Sequence, residues 1–319
     1  MKTKNLIHLA VILVSAIALT FTSCKKDDLD QGAADPASLK QLAVDENDVE
    51  SIMSDAEGDI TSVMTNMGNG LKSGGWKPCA ATVDSSKVTQ DTLIIYITYN
   101  GQDCDKKQNR TGKIEIKMKT GNHWGALGSS VVFKYSNFEV KRMVKMGMGM
   151  GKDSTKIILN GTKTFVNVSG GTRWMVGTLI DSYVERVSGT MQATFENGAT
   201  RTWNVARQIT WTGTPGQYNM TIDGFGSAGD YQNLVVWGTN RQGEEFFTQI
   251  SQSIVCKQTC KWNPVSGIKI HQIPSGSKSA TVTFGFDDNN EPVTGDNCPT
   301  RYRVDWQKDN KSGTSYLPL

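Results

Sequence analysis

Trp203, Val205, Arg207, Ile209 and Trp211 alternate along one predicted strand, which places a guanidinium on the face that carries two indoles. An arginine on such a face costs free energy unless it is paired or stacked on an aromatic ring. Two chemistries follow. Arg207 can clamp a ligand carboxylate beside a platform of Trp203 and Trp211, or it can bridge to a buried acid such as Asp223, and the structural bridge is the expected one. A second cluster, Met143, Met146, Met148 and Met150, interleaves thioethers with glycines, and soft sulfur ligands suit copper(I). Lys141, Arg142, Lys145 and Lys152 surround that cluster and repel a cation, so a hairpin tip that packs its methionines on a neighbour is expected. A copper site there would use Met146, Met148 and Met150.

Other motifs carry less. Gly224-Phe225-Gly226-Ser227-Ala228-Gly229 spells a dinucleotide pattern, but the pyrophosphate in such a site sits on a helix N-terminus. The strand-like Leu234-Val235-Val236-Trp237 follows instead, so a glycine-rich hairpin connection is expected. Asp287-Asp288-Asn289-Asn290-Glu291 has the composition of a calcium loop without the EF-hand glycine and terminal glutamate, and reads as a polar loop. His123 and His271 lie in no nucleophile or metal motif. His271 is expected on the wet side of a strand whose dry side is Ile268 and Ile270. Glu244 and Glu245, as neighbours on a strand, point to opposite faces and make no glycosidase pair. No catalytic residue, bound metal or cofactor is expected.

The elements that position these residues follow from periodicity. Val49, Ile52, Met53, Ala56, Ile60, Val63, Met64 and Met67 recur at helical spacing over residues 46–70, with acidic and hydroxyl side chains opposite. Asn47 with Glu50 suits a capping box, and Gly68-Asn69-Gly70 supplies a stop. The acidic polar face favours packing on the chain's own β domain over a membrane surface, where basic faces are the rule. From Trp76 onward the period becomes two. Ile114-Ile116-Met118, Met191-Ala193-Phe195, Tyr218-Met220-Ile222, Val282-Phe284-Phe286 and Tyr302-Val304-Trp306 each mark a strand with one dry face. Asn100-Gly101 and Asn197-Gly198 read as type I′ hairpin turns and Asn160-Gly161 as a further turn. The fold class is therefore all-β over residues 71–319: an antiparallel meander, as a large sheet or a sandwich, preceded by one amphipathic helix.

Beyond Cys24 there are five cysteines, Cys79, Cys104, Cys256, Cys260 and Cys298. The segments 79–119 and 260–307 echo one another, each running from a cysteine through two strands to a second cysteine and a third strand. The echo pairs Cys79 with Cys104, and Cys298 with Cys260 or with Cys256. A disulfide is preferred to zinc, because Cys256-x-x-x-Cys260 lacks two further ligands and a secreted chain tends to oxidise its thiols. Cys104-Asp105 followed by Arg110-Thr111-Gly112-Lys113-Ile114, together with Trp211-x-Gly213 and the Cys260 to Cys298 segment, resembles a family of all-β Bacteroidota outer-membrane lipoproteins. The likeness covers most of the chain from residue 79 and brings no activity with it. The Met-Gly stretch departs from the family pattern.

Residues 1–23 read as a lipoprotein signal peptide. Lys2 and Lys4 precede an apolar run from Leu9 to Leu19, Thr22-Ser23 supply a small-residue cleavage site, and Cys24 follows as the lipidated residue. The run is shorter than the ~20 residues of a spanning helix. Lys25-Lys26-Asp27-Asp28 resembles the tag that sends Bacteroidota lipoproteins to the outer face of the outer membrane, and residues 24–45 read as the anchor and a flexible tether. Removing Lys2 and Lys4 from the 34 basic side chains leaves 32 against 31 acidic, with no basic stripe, so nucleic acid is not an expected partner. The expected protein is a lipid-anchored, surface-displayed binding or assembly module of the envelope, contacting the membrane through its lipid and partnering an envelope protein or a glycan. Eight tryptophans and eight tyrosines motivate the glycan alternative, and the methionine cluster motivates a copper-handling one.

Overall fold

Among the described residues fifteen strands follow one α-helix, and each strand pairs antiparallel with a neighbour. The computed structural model describes residues 37–68, 78–143 and 154–319, apart from 90, 105, 107, 122 and 276. Cys24 and the cluster Met146, Met148 and Met150 lie outside the described residues. The helix α1 (Ala37–Gly68) begins earlier than the apolar period implies, so residues 37–45 belong to it and not to a tether. Leu42 is buried against the sheet, and Asn47 falls in mid-helix, so the expected cap at that position is not formed. The helix ends at Gly68, where the glycine stop was read.

The strands are β1 (Ala81–Val88), β2 (Thr92–Gln102), β3 (Gln108–Lys119), β4 (Ser130–Met143), β5 (Ser154–Asn167), β6 (Tyr183–Phe195), β7 (Thr200–Thr214) and β8 (Gln217–Gly224). They continue with β9 (Gly226–Ala228), β10 (Tyr231–Thr239), β11 (Glu245–Lys257), β12 (Pro264–Ile273), β13 (Lys278–Phe286), β14 (Arg301–Lys308) and β15 (Lys311–Pro318). All belong to one sheet rather than a sandwich. β8 and β10 occupy successive lengths of a single lane between β7 and β11: Gly224 pairs with Arg207, and further along β7 Val236 pairs with Val205. The glycine-rich segment between them makes the small β9 hairpin against β10, as the absence of a following helix required.

The sheet wraps around the helix. Arg142 of β4 reaches Asp48 (3.5 Å) and Ser51 (2.8 Å), while Lys269 of β12 reaches Glu50 (2.8 Å). In a flat sheet the six lane spacings from β4 to β12 would separate those strands by about 29 Å, far more than the ~10–12 Å width of a helix with its side chains. Only a strongly curled sheet brings both to adjacent helical positions. Val49, Ile52, Ala56, Ile60 and Val63 are all buried in the core so enclosed. The dry sides of the predicted strands form its wall, except in β12.

Two asparagine-glycine pairs are not turns. Asn100 and Gly101 lie inside β2, paired with Thr111 and Arg110, because the chain at Ala80 presses on Gly101 and the β2–β3 turn falls after Asp103. Asn160 and Gly161 lie inside β5, where the Asn160 side chain accepts a hydrogen bond from the backbone N–H of the bulged Asn137 (2.8 Å). A Cβ on Gly161 would sit 2.4 Å from the Thr190 carbonyl oxygen, so the glycine permits close approach of β6. Asn197-Gly198 does turn β6 into β7, but only Gly198 takes a positive φ (79°), so the type I′ form is not adopted.

Both disulfides are formed, Cys79–Cys104 and Cys260–Cys298, and Cys256 is a buried free thiol. The first ties the entry of β1 to the β2–β3 connection and the second ties the entry of β12 to the β13–β14 connection. The echo in sequence is therefore an echo in topology.

Candidate functional site

The site is built from helix carboxylates inserted among strand cations. Positions 46, 50, 53, 57, 60 and 64 recur at spacings of four and three, so they form one stripe of α1. Three of the first four are glutamates. Glu57 receives Lys163 of β5 (2.6 Å) and Arg207 of β7 (2.7 Å) on its two oxygens, and Glu50 receives Lys269 (2.8 Å) and Arg207 (3.3 Å). Arg241, in the β10–β11 turn, grips both oxygens of Asp45 at 2.6 Å, and Arg110 of β3 binds Asp59 at 2.8 Å. Arg207 is thus held by the helix and not by Asp223, which lies opposite Gln208 on the outer face and accepts from Ser253.

Electrostatics follow the pairing. Burial alone would raise the Glu50 carboxyl, but Lys269 and Arg207 overcome it and hold it at about 2. Glu57 is likewise lowered against its burial by Arg207 and Lys163. Lys163 is pushed down to about 8 by burial, opposed by Glu57.

His271 is the clearest departure from expectation. It is buried on the inner face of β12 together with Lys269, while Ile268 and Ile270 point outward. An apolar rule applied to this strand selects the wrong face, and a period of two turns that choice into a complete inversion. The polar pair points inward because Glu46 and Glu50 are there to receive it. Thr248 donates its hydroxyl to Glu46 (3.0 Å), so His271 Nδ1, 3.0 Å from the same hydroxyl, must be the nitrogen that carries hydrogen. Burial pushes the His271 ring below its ordinary pKa. The His271, Thr248 and Glu46 side chains are between 0 and 4% exposed, which gives the trio no access to a substrate.

On one side of the helix the packing opens into a cavity of about 990 Å³. Its sheet wall has apolar side chains from Ile209 and Trp211 of β7, Met220 and Ile222 of β8, Ile254 of β11 and Phe284 of β13, with the charged Arg142, Glu185, Arg207 and Lys269 set among them. The opposite wall is the helix, including Ser51, Ser54 and Gly58. Trp174, Trp262 and Lys261 line it too and are exposed, which marks the mouth. Arg173 lies there between indoles, 4.3 Å from the Trp174 ring and 5.5 Å from the Trp211 ring. Trp211 meets Trp262 edge to face at 72°. Cys256 also lines the cavity, its thiol raised to about 12 by burial, which makes it inert as a nucleophile.

Of the expected ligand residues, Arg207 and Trp211 meet at this cavity and Trp203 does not. Eight residues of strand separate Trp203 from Trp211 by about 27 Å, and Trp203 is buried beside the Arg201 guanidinium (5.3 Å). Arg201, Lys163, Lys269 and Arg173 were missed. The glutamates on core positions of the helix were the available signal for the first three. The Asp287 loop spends its carboxylate on the backbone N–H groups of Asn289 and Glu291, and no metal-binding cluster of three side chains occurs among the described residues.

No match is found. Family models, curated proteins and solved structures were all compared with the chain.

Proposed function

We propose that the chain is a lipid-anchored protein of the cell envelope, displayed at the outer membrane, that binds a ligand in the cavity between its helix and its sheet without catalysis. The cavity carries this reading. Its volume of about 990 Å³ lies at the upper end of the ~300–1,000 Å³ typical of small-molecule sites, and side chains of β7, β8, β11 and β13 give one part of its wall a hydrocarbon surface. Most of the helix carboxylates along it are committed to ion pairs with strand cations, which supports binding over acid–base chemistry. The lipid attachment rests on Cys24 and its flanking residues. A glycan platform is less well supported, because Trp211 and Trp262 stand edge to face and offer no shared plane for a sugar.

Two measurements test the reading. Cys24→Ser is expected to abolish palmitate labelling and release the protein from membranes; a variant that remains membrane-bound refutes the anchor. A neutral naphthylamine dye is expected to bind the folded chain at one site with enhanced fluorescence, and to bind more weakly when Met220→Trp narrows the cavity. Absence of dye binding to a folded protein would remove the cavity from consideration.

A further inference from the structure

We infer that the cavity's ligand is an anionic amphiphile, its acidic head held at the mouth by Arg173 and Lys261 and its hydrocarbon tail laid along β8, β11 and β13. This rests on the reading of the cavity as a binding site and adds the ligand's chemistry. The charge balance of the walls carries it. Every helix carboxylate along the cavity already has a partner: Asp48 has Arg142, Glu50 has Lys269 and Arg207, Asp55 has Gln108, Glu57 has Lys163 and Arg207, and Asp59 has Arg110. Four of these five carboxylates are met by a cation, so a cationic head would find only Asp55, which Gln108 holds through a neutral amide.

The cations are not so balanced. Arg173 has no carboxylate within 4.0 Å among the described residues, and its Nε is buried without a hydrogen-bond partner. Glu185 is the acid that faces it, but that carboxyl accepts from the Tyr183 hydroxyl (3.1 Å) and burial raises it toward the neutral form. The two indoles offset part of the cost of desolvating the guanidinium, and an anion would offset the rest. Lys261 is exposed beside Trp262 at the same mouth, and its ammonium makes no ion pair among the described residues. Beyond these cations Met220, Ile222, Ile254 and Phe284 give the wall hydrocarbon inward from Trp211, and the charges set among them, Arg207 and Lys269, are already paired with Glu50 and Glu57. A head that needs positive charge and a tail that needs no polar partner fit this sequence of surfaces.

Displacement of the neutral dye from the purified full chain tests the inference with palmitate, palmityl alcohol, decanoate and acetate as competitors. Palmitate is expected to displace the dye, palmityl alcohol to do so about tenfold less well, and acetate not at all. Each methylene lost between palmitate and decanoate that leaves the apolar wall should weaken binding about fourfold. Arg173→Gln is expected to weaken palmitate about tenfold relative to palmityl alcohol. Lys261→Gln, which changes an exposed side chain, should shift palmitate in the same direction. Equal displacement by palmitate and its alcohol, or unchanged palmitate affinity in both variants, overturns the anionic head and leaves the cavity intact. A folded protein that binds neither dye nor palmitate overturns both.

Discussion

Replacing Glu57 by glutamine tests whether ion pairs hold the helix inside the sheet. The carboxylate binds Lys163 at 2.6 Å and Arg207 at 2.7 Å, and both cation side chains are nearly inaccessible, at 1% and 6% exposure. Removing one partner of a buried pair costs about 3–5 kcal/mol, because a charge is left behind without compensation. That is a large share of the ~5–15 kcal/mol that stabilises a domain. Lys163 gives the loss a pH signature. Its folded-state value of about 8 lies below its ordinary 10.5, so the unfolded chain binds more protons in that window and stability rises with pH across it. Without Glu57 the folded-state value falls further and the window extends downward. The deficit of Glu57→Gln relative to the parent should therefore narrow as pH rises toward about 8. Urea unfolding followed by tryptophan fluorescence measures both, and adding Lys163→Met to Glu57→Gln should recover at least ~1 kcal/mol by removing the orphaned cation. A loss below ~1 kcal/mol, or a double variant worse than the sum of its parts, would refute an ionic attachment of the helix.

Three further outcomes follow from the same geometry. Glu50→Gln should flatten the acid limb of the stability curve: its carboxyl is held at about 2 against an ordinary 4.5, so its contribution is complete above 4.5 and is lost as pH falls toward 2, measured by circular dichroism across that range. Cys298→Ser should cost about 4 kcal/mol and Cys104→Ser about 3.5 kcal/mol by loop entropy over separations of 38 and 25 residues, as read from urea midpoints. An unreduced, lipidated chain should take up no maleimide when folded and one equivalent, at Cys256, when denatured; rapid labelling of the folded chain would contradict the burial of that thiol.

The strands were legible because most have a dry face that obeys the apolar rule, as Ile114 and Ile116 or Tyr302 and Val304 show. β12 was misread for the same reason, since its inward residues are Lys269 and His271 and its outward ones are isoleucines. Local spacing cannot reveal that a charge has a partner more than 200 residues away. The asparagine-glycine pairs at 100 and 160 failed differently. Their side-chain and conformational freedom serves a chain crossing and a bulge, and only the neighbouring strand shows which use is made of them. The mouth residues Arg173 and Trp174 sit in a short turn with no period at all, so nothing local marks them.

The helix that the sheet encloses is also the first described element to be synthesised. Glu50 waits for Lys269 across 219 residues, and Glu46 waits for His271 longer still. At roughly 5–20 residues per second, that interval is on the order of ten seconds or more, during which the helix has an apolar face and no wall to cover it. Contacts so distant in sequence also slow the final closure. The glutamates set among its core positions keep that early helix charged while it waits. The sheet can close around it only once β12 has arrived, so a chain truncated before residue 269 has no means of reaching the native state.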